Sequence, residues 1–453
     1  MSIEILILAK HQNLSKMKKI LVFLVVLVTV PTFSQNFNKA KIDSLFQVLE
    51  TKDKYMGSVA VSENGKIIYT NAIGKEDVES NKKATVSTKY RIGSISKMFT
   101  SVLVFKAIEE KKLSLNQTIE SYFPTIENAS KITISNLLNH RSGIYNFTSA
   151  DEYASYSAVP KTAKEMVGII AKGKSVLEPN SKGEYSNSNY VLLSYILEEV
   201  YKQSYAALVQ TKIAKPLGLK NTYFGGKIST ANNESNSYSY TEKWNKETET
   251  DTSIPMGAGG MVSTPTDLTQ FIDALFAGKL IAAASLEQMK TIQDKYGMGI
   301  FQVPFYDKIG YGHTGGIDGF RSALSYFPES KLSVAITSNG MNYGNNDIVI
   351  AILSSYYNRK FEIPTFNTLD LKTEDLDTYL GVYASATFPL AITVTKDNTK
   401  LMAQATGQGA FPLEAIKNDT FEFKAAGITL EFNPTANQMT IIQGGTKNVL
   451  IKK

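Results

Sequence analysis

One segment constrains the fold of this 453-residue chain more than any other, a run from about Ser94 to Lys112 that is predicted to be a helix. Its large apolar side chains lie on nearly all sides of the helix axis, at Met98, Phe99, Val102, Leu103, Val104 and Phe105. A helix without a polar face has to lie inside a domain. Lys97 enters the interior with this helix, and because a buried lysine is rare, it requires a specific role.

Strands are predicted on both sides of this helix along the chain. Asn64-Gly65 lies between two apolar runs, which is typical of a β-hairpin. The predicted strands cover residues 56–62, 66–71, 310–314, 321–327 and 332–338, and the predicted helices cover 37–51, 190–201 and 347–357. We therefore expect an α/β fold, with an antiparallel sheet flanked by helices and a mostly helical lobe. The polar stretch 228–252 is expected to be exposed.

The first residues are predicted to direct export. A basic start at Met17-Lys18-Lys19 precedes an apolar run from Ile20 to Val30, and small residues follow before Gln35. This pattern is typical of a secretory signal peptide over residues 1–34, with Met17 as an alternative translation start. The apolar run is too short for a stable membrane anchor. We therefore expect cleavage rather than a retained anchor, and a periplasmic or extracellular protein.

The length of the chain predicts more than one domain. Residues 36–358 are expected to form the first domain, and residues 359–375, which include Pro364, are predicted to be a linker. Within 376–453 short strand-like runs alternate with turns such as Gly444-Gly445, which indicates a small all-β sandwich or barrel. The predicted runs lie at 379–383, 391–395, 400–405, 420–424, 429–433 and 439–443.

Composition excludes several classes of function. The chain has no cysteine, and therefore no disulfides and no thiolate ligands. Its histidines are His11, His140 and His313, and since His11 lies in the leader, a histidine-rich zinc site is excluded. The formal net charge of +6 falls to about half without the lysine-rich leader, which is too little to indicate nucleic-acid binding. Neither a Gly-x-Ser-x-Gly elbow nor a glycine-rich phosphate loop occurs.

Ser94 and Lys97 are spaced so that both side chains lie on one face at the start of the helix. A serine hydroxyl becomes a good nucleophile when a neighbour takes its proton, and a lysine can do so if burial depresses its pKa. Backbone N–H groups at the helix start can stabilise charge on an attacked carbonyl. An isolated Ser-x-x-Lys is more often a helix cap with an ordinary lysine, but the apolar surroundings of Lys97 favour the catalytic interpretation.

A second motif, Tyr185-Ser186-Asn187, lies between turn residues and a predicted helix. Tyr185 could exchange a proton with a leaving group. Asn187 could hold Lys97 or a substrate amide. The alternative interpretation is a surface loop that ends in a helix cap.

A third motif, His313-Thr314-Gly315-Gly316, is predicted on a strand. Its glycines permit close approach of a ligand to the backbone, and the Gly316 N–H could pair with that of Ser94 as an oxyanion hole. His313 could contact a substrate carboxylate. The alternative is a strand end that turns into a loop. The other histidine of the mature chain, His140, is expected to be a turn or packing residue.

Together these motifs resemble the serine β-lactamase and penicillin-binding protein family, in its class C β-lactamase and D-alanyl-D-alanine carboxypeptidase-like branch. The similarity covers roughly residues 40–357. Further segments that carry it are Tyr90-Arg91-Ile92-Gly93-Ser94, Ile134–Ile144, Pro216-Leu217-Gly218-Leu219 and Gly259–Thr264. The resemblance implies a β-lactamase/transpeptidase-like fold. In such a fold Ser94 would be the acylated nucleophile, and Lys97 and Tyr185 would share general-base and general-acid catalysis. Asn187 would orient the substrate and Lys97. The resemblance implies that no metal or organic cofactor is needed.

The resemblance also assigns the substrate-binding strand. His313, Thr314 and Gly315 would line it, and the backbone amides of Ser94 and Gly316 would form the oxyanion hole. Class C β-lactamases carry lysine where this chain has His313, and a neutral imidazole attracts a carboxylate less strongly. The His-Thr-Gly form resembles carboxypeptidases, D-aminopeptidases and esterases of the family.

These observations predict a secreted serine hydrolase that acts on D-alanyl peptides of the cell wall, as a carboxypeptidase or a D-aminopeptidase-like penicillin-binding protein. A β-lactamase or esterase with the same mechanism is one alternative. A non-catalytic binding protein with the same fold is another. The expected partner is a small-molecule or peptide substrate, and neither nucleic acid nor a stable membrane anchor is expected.

Overall fold

The structure, a computed structural model, describes residues 37–366, 369, 371–423, 426–443 and 446–453. The predicted signal peptide and the predicted turn at Gly444-Gly445 lie outside these residues. The described chain consists of a larger unit of sheet and helices followed by a β-barrel, and the barrel has a hydrophobic core of its own. In the part of the chain described, no helix has both the length and the apolar character needed to cross a membrane.

An antiparallel sheet forms the centre of the larger unit. In chain order the strands of this unit are Tyr55–Glu63 (β1), Lys66–Ile73 (β2), Lys75–Asp77 (β3), Lys82–Lys83 (β4), Tyr90–Arg91 (β5), Tyr223–Phe224 (β6), Tyr238–Tyr240 (β7), Trp244–Lys246 (β8), Met261–Ser263 (β9), Phe301–Phe305 (β10), Lys308–Ile317 (β11), Phe320–Phe327 (β12) and Leu332–Met341 (β13). Among the described residues the main sheet has six strands, in the order β10-β11-β12-β13-β1-β2. Since β1 pairs antiparallel with β13, strands from both ends of the domain share one sheet, as predicted.

The predicted hairpin between β1 and β2 is present. Asn64 and Gly65 both adopt left-handed backbone conformations, with φ of +53° and +74°. Two successive left-handed residues are what the tightest hairpin turns require. Asparagine and glycine tolerate that conformation best, which explains why this dipeptide allowed the hairpin to be recognised.

Helices cover both faces of the sheet. In chain order they are Lys39–Thr51 (α1), Ser96–Glu109 (α2), Ile134–Leu138 (α3), Tyr153–Tyr156 (α4), Ala163–Lys172 (α5), Asn187–Tyr201 (α6), Tyr205–Val209 (α7), Lys215–Leu217 (α8), Met256–Gly259 (α9), Pro265–Phe276 (α10), Ala283–Lys290 (α11) and Asn345–Tyr356 (α12). Along β13, Val334 and Ile336 pack with α1 and α12, whereas Ala335 between them joins the core around α2. This alternation follows from the two-residue period of a strand.

The apolar helix predicted from the sequence is α2, and it is buried as expected. Its Phe99 stacks on Phe271 of α10, with 3.9 Å between the ring centroids. The helix ends earlier than predicted, shortly before Lys111, which has a left-handed backbone with φ of +57°. A short 3₁₀ turn, Gly93–Ile95, precedes the helix and contains Ser94.

The prediction that residues 228–252 are exposed is wrong for part of this segment. Residues 234–238 are all buried. Their polar groups are paired: Asn236 Nδ2 donates to Asp77 Oδ1 at 3.0 Å, and the Tyr238 hydroxyl donates to Glu79 Oε2 at 2.7 Å. Polar composition does not indicate exposure where each polar group has a partner.

The C-terminal part of the chain is a closed barrel, which confirms the predicted barrel-like all-β unit. Its strands are Gly381–Ala384 (β14), Ile392–Asp397 (β15), Lys400–Ala405 (β16), Phe411–Lys417 (β17), Thr420–Phe423 (β18), Ile428–Asn433 (β19), Gln438–Gln443 (β20) and Thr446–Lys452 (β21). In the described residues each strand pairs with the next, and β14 pairs with β21 to close the barrel. The sequence predicts six of these strands and misses β17 and β21.

The boundary between the two units remains a prediction that truncation can test. Phe366 is 6% exposed and packs in the core formed by α1, α12 and the sheet, and Phe361 and Ile363 pack against the same core. A fragment that ends at Phe366 should therefore fold and stay soluble. A fragment that ends at Tyr357 loses these contacts and should be less stable by about 2–5 kcal/mol, the range for large buried apolar side chains.

Denaturant unfolding and size-exclusion chromatography of both fragments measure this difference. Aggregation of the longer fragment would mean that the barrel and the larger unit depend on each other for folding.

Candidate active site

Ser94 lies at the one solvent-accessible position of the turn that precedes α2. Its neighbours Gly93 and Ile95 are buried, whereas Ser94 is partly exposed. Gly93 has a left-handed backbone with φ of +50°, and a Cβ at this position would lie 2.7 Å from the backbone nitrogen of Gly316. Only glycine fits this approach, which brings the Ser94 turn against strand β11.

Lys97 is fully buried beneath Ser94. Its Nζ lies 2.9 Å from Ser94 Oγ, 2.8 Å from Asn187 Oδ1 and 2.7 Å from the carbonyl oxygen of Ala258. Burial lowers the pKa of Lys97 well below its usual range, because desolvation disfavours the charged form. A neutral amine has two N–H donors and one lone pair. The oxygens of Asn187 and Ala258 can take the two donors, which leaves the lone pair for the Ser94 hydroxyl.

Tyr185 completes the environment of the serine from the loop that precedes α6. Its hydroxyl donates to Ser94 Oγ at 2.9 Å. Burial raises the pKa of Tyr185, so the phenol keeps its proton in the range where Lys97 is neutral. Ser94 can therefore accept from Tyr185 while it donates to Lys97. Lys97, Ser94 and Tyr185 thus form a chain of two hydrogen bonds centred on the serine hydroxyl.

Asn187 is the first residue of α6, rather than part of the loop where the sequence places it. Its side chain joins two parts of the site: Oδ1 accepts from Lys97, and Nδ2 donates to Thr148 Oγ1 at 3.1 Å. Its backbone N–H donates to Asn146 Oδ1 at 3.0 Å. The Asn146–Thr148 segment, which sequence reasoning did not single out, thus fixes Asn187.

The strand motif is divided between two faces of β11. Thr314 and Gly316 are exposed, whereas His313 and Gly315 are buried. A Cβ on Gly315 would lie 2.0 Å from the carbonyl oxygen of Ile92. Gly315 therefore serves close packing against the Ser94 turn, while Gly316 remains open to the site.

His313 is not arranged as a cation. It is 3% exposed, and its ring centroid lies 4.2 Å from that of Phe301. Burial lowers the pKa of His313 to about 3. Its Nδ1 lies 2.5 Å from the Thr314 carbonyl oxygen, and among the described residues its Nε2 has no hydrogen-bond partner. With the ring proton on Nδ1, where it can be donated to that carbonyl, the neutral Nε2 can only accept a hydrogen bond. The contact with a substrate carboxylate therefore stays a prediction, and it would require a ring that is protonated on Nε2.

A cleft of about 660 Å³ opens at Ser94. Its walls come from segments 147–157, 247–259 and 316–321, together with Asn187. All of these residues belong to the larger unit, and none of the lining comes from the described part of the barrel. The volume is sufficient for a substrate larger than a single amino acid.

Arg321 and Asp318 are charged residues in the lining of the cleft that were not singled out from the sequence. Arg91 forms ion pairs with Glu249 and with Asp318, and its distance to the latter is 3.4 Å. Arg321 instead donates to two backbone carbonyls, those of Asp318 at 3.1 Å and Phe320 at 2.7 Å. Within the described chain no carboxylate pairs with Arg321, so the cleft contains an exposed guanidinium. Its position beside Gly316 depends on the pairing of β12 with β11, so no local pattern in the sequence indicated it.

Comparison with known proteins identifies the class. The model of the Beta-lactamase family matches residues 43–353, well over half of the chain, and the chain therefore belongs to this family. The resemblance drawn from the sequence motifs is thus confirmed. So is the predicted α/β fold of the β-lactamase/transpeptidase type, and the protein is a serine hydrolase.

Two relatives whose names describe an activity are similar to this chain over about two thirds of its length. A teichoic acid D-alanine hydrolase of Staphylococcus aureus (strain MRSA252) is 29% identical over 317 residues, which are 68% of this chain and 75% of that protein. The D-amino acid amidase from Ochrobactrum anthropi SV3, complexed with L-phenylalanine amide, is 25% identical with a TM-score of 0.62, over 70% of this chain and 99% of that one.

A third relative matches the fold over more of the chain. The penicillin-binding protein homologue from Pyrococcus abyssi has a TM-score of 0.67 at 23% identity, and the alignment covers 92% of this chain and 98% of that one. At this identity it supports the fold only. Its coverage of this chain exceeds that of the other two relatives.

Proposed function

We propose that this protein is an exported serine hydrolase that cleaves ester or amide bonds of D-alanyl groups in the cell envelope, through an acyl-enzyme on Ser94. The observation that carries the proposal is the position of Ser94 Oγ, 2.9 Å from both Lys97 Nζ and the Tyr185 hydroxyl. A base and an acid at hydrogen-bond distance on either side of a hydroxyl are the groups that acyl transfer through serine requires.

The reaction proceeds in two halves. The Lys97 amine takes the proton of Ser94, and Oγ attacks the substrate carbonyl carbon. The N–H groups of Ser94 and Gly316 stabilise the resulting oxyanion. As the tetrahedral intermediate collapses, Tyr185 protonates the leaving oxygen or nitrogen and regains a proton from Lys97. A water molecule then attacks the acyl-enzyme with the same groups in reverse order, which releases the acid and restores Ser94.

The names of two relatives support the D-alanyl substrate. One is described as a teichoic acid D-alanine hydrolase and the other as a D-amino acid amidase. Both names describe the cleavage of a bond to a D-amino acid. A family member similar to both fits a D-aminoacyl ester or amide. Export follows from the predicted signal peptide, and N-terminal sequencing of the secreted protein should give Gln35.

The neutral, buried His313 favours this substrate over one with a free carboxylate on its leaving group. With a pKa of about 3, its imidazole carries no charge at physiological pH and cannot form an ion pair with a carboxylate. The same argument makes efficient β-lactamase activity unexpected.

A D-alanyl carboxypeptidase is the second candidate. It is favoured by Arg321, whose guanidinium is exposed in the cleft and lies 3.6 Å from where a Cβ on Gly316 would be. Arginine binds carboxylates through paired N–H groups. The Arg321 guanidinium could therefore form the ion pair with a substrate carboxylate that the neutral His313 cannot form.

Matched substrates separate the two candidates. We expect the mature protein to hydrolyse D-alanine methyl ester at least about tenfold faster than its L enantiomer. With the carbonyl oxygen held in the oxyanion hole, the cleft walls can fit only one arrangement of the amine and methyl groups on the α-carbon. An acetylated peptide ending in D-alanyl-D-alanine should be a poor substrate, whether its C-terminus is free or amidated.

A preference for the free carboxyl form that Arg321→Gln removes would instead establish the carboxypeptidase. A long-lived benzylpenicillin adduct without turnover of any of these substrates would favour the binding protein. If the protein hydrolysed neither D-alanine methyl ester nor the D-alanyl-D-alanine peptide, the proposal would be overturned.

A further inference from the structure

We propose that His140 is a positioning residue that holds Tyr185 against Ser94. This inference rests on the proposed function and adds a residue for which the sequence indicated only a turn or packing role. His140 lies in the turn after α3, 45 positions before the tyrosine it contacts. Three contacts join His140 to Tyr185 or to the residues on either side of it.

Two of these contacts are hydrogen bonds to the backbone on either side of Tyr185. The Glu184 N–H donates to the carbonyl oxygen of His140 at 2.8 Å. The Ser186 N–H donates to Nδ1 of the same histidine at 3.2 Å. One residue therefore holds the Gly183–Glu184 and the Tyr185–Ser186 peptide units, which lie on either side of the tyrosine, and this restricts movement of the backbone between them.

The third contact fixes the ring. The imidazole stacks on the phenol ring of Tyr185, with 4.4 Å between centroids and 30° between planes. The other rings near Tyr185, those of Tyr296 and Phe301, have centroids at 6.3 Å and 6.5 Å. His140 thus forms the nearest aromatic wall, and a shift of this wall would move the hydroxyl relative to Ser94.

The histidine is held in a form suited to this role. Since Nδ1 accepts a hydrogen bond, the proton of the neutral ring resides on Nε2. Burial lowers the pKa of His140 well below its usual value, which keeps the ring neutral and Nδ1 free to accept. The Nε2 atom is buried and has no hydrogen-bond partner among the described residues.

Packing alone does not explain a histidine at this position. Its backbone is left-handed, with φ of +58°, a conformation that glycine adopts at a lower cost. An apolar ring would also avoid a buried, unpaired N–H. Both disadvantages are accounted for if the site requires an aromatic ring and a hydrogen-bond acceptor from one residue.

Further bonds fasten the same two segments at a distance from the tyrosine. The Asn180 N–H donates to the Arg141 carbonyl at 2.7 Å, and the Gly183 N–H donates to Asp294 Oδ2 at 3.0 Å. Arg141 forms an ion pair with the same Asp294. The loop before Tyr185 is therefore anchored at its start by Arg141 and at its end by His140.

Two variants and two probes test the role. His140→Phe keeps a ring but removes the acceptor, and His140→Asn supplies a polar acceptor and suits the left-handed backbone. D-alanine p-nitroanilide needs a proton on its leaving nitrogen, whereas p-nitrophenyl acetate releases a stable phenolate. We expect His140→Phe to lower kcat on the anilide by roughly ten- to hundredfold, with KM nearly unchanged, because it weakens proton transfer from Tyr185. On the ester the loss should be only a few-fold, and His140→Asn should recover part of the anilide activity.

A matched control is Tyr205→Phe, which removes a buried hydroxyl that contacts Thr100 in the same core. It should affect both probes equally. Equal losses on both probes in His140→Phe, or none, would overturn the inference.

Crystals of His140→Phe give a readout that does not depend on turnover. The distance from the Tyr185 hydroxyl to Ser94 Oγ, 2.9 Å here, should lengthen beyond hydrogen-bond range, and an unchanged distance would also overturn the inference. If the wild-type protein turned over neither probe, the proposed function would fail, while the crystal result would still decide the role of His140.

Discussion

Ser94→Ala should lower turnover of a D-alanyl ester by roughly 10⁴-fold or more, as removal of an acylated serine does in hydrolases that form a covalent intermediate. The physical reason is the loss of the atom that forms the ester, so the neighbouring base and acid have no group to act on. Intact mass spectrometry after mixing with benzylpenicillin or a D-alanyl ester should show an adduct on the wild-type protein and none on the variant.

The fold should survive this change. Ser94 is partly exposed, and its side-chain bonds are those to Lys97 and Tyr185. The matched control is Ser96→Ala, two residues further along, where the hydroxyl accepts the Met261 N–H at 3.1 Å. That variant should lose about 1 kcal/mol of stability but still form the adduct. Activity of Ser94→Ala at the wild-type level would eliminate Ser94 as the nucleophile.

Lys97→Met should lower kcat by about 10²–10⁴-fold, the contribution typical of a general base. Methionine is unbranched and of similar length, so it fills the space without an amine. Lys106→Met, on the same helix but directed away from the site, should retain wild-type activity. A Lys97→Met enzyme within a few-fold of the wild type would assign the base to another group.

The pH dependence of the wild-type enzyme follows from the same burial. The rate should rise with pH as Lys97 loses its proton, and because its pKa is lowered, this rise should lie well below the range of an ordinary lysine. The rate should then stay level, because Tyr185 must keep its proton and burial raises its pKa. A pH profile of kcat/KM that rises only at the ordinary lysine pKa would contradict the neutral amine.

The lowered pKa of Lys97 should also make the free energy of unfolding depend on pH. In the unfolded chain Lys97 has the usual lysine pKa, so unfolding takes up a proton at any pH between the lowered and the usual value. The free energy of unfolding therefore rises with pH across that interval, by up to about 1.4 kcal/mol per unit. It levels off above the usual lysine pKa. Denaturant unfolding at several pH values should show this slope in the wild type and a reduced one in Lys97→Met.

Local patterns in the sequence predicted much of the fold. The apolar sides of α2, the Asn64-Gly65 turn and the strand-like runs of β11–β13 are each encoded within a few residues, and each was recognisable. Strand β17 was missed because Pro412 lies within it. Strand β21 was missed because Val449, Leu450 and Ile451 form a continuous apolar run without alternation. Closure of the barrel by β14 and β21 joins distant residues and has no local signal.

In the candidate site, too, some features follow from local sequence and others depend on how distant segments pack together. Ser94 and Lys97 are three residues apart, so their proximity follows from helix geometry. Tyr185 and Asn187 could be recognised by their motif but not placed. The Ala258 carbonyl that binds Lys97 belongs to the backbone. Every residue has such an acceptor, so the sequence does not indicate which one contacts Lys97. The exposed guanidinium of Arg321 is likewise visible only once β12 is paired with β11.

Gly93, Gly315 and Gly316 lie where β11 meets the Ser94 turn, and they limit which substitutions an enzyme of this kind can tolerate as it diverges. Gly93 and Gly315 admit no Cβ without collision with backbone atoms of the facing segment, and Gly316 lies open beside them. A saturation mutagenesis screen for activity should therefore find Gly93 and Gly315 as intolerant as Ser94, although neither carries a reactive group. The geometry of this active site thus depends on positions that have no side chain. A relative that kept Ser94, Lys97 and Tyr185 but lost Gly93 or Gly315 would be inactive, although its reactive residues are intact.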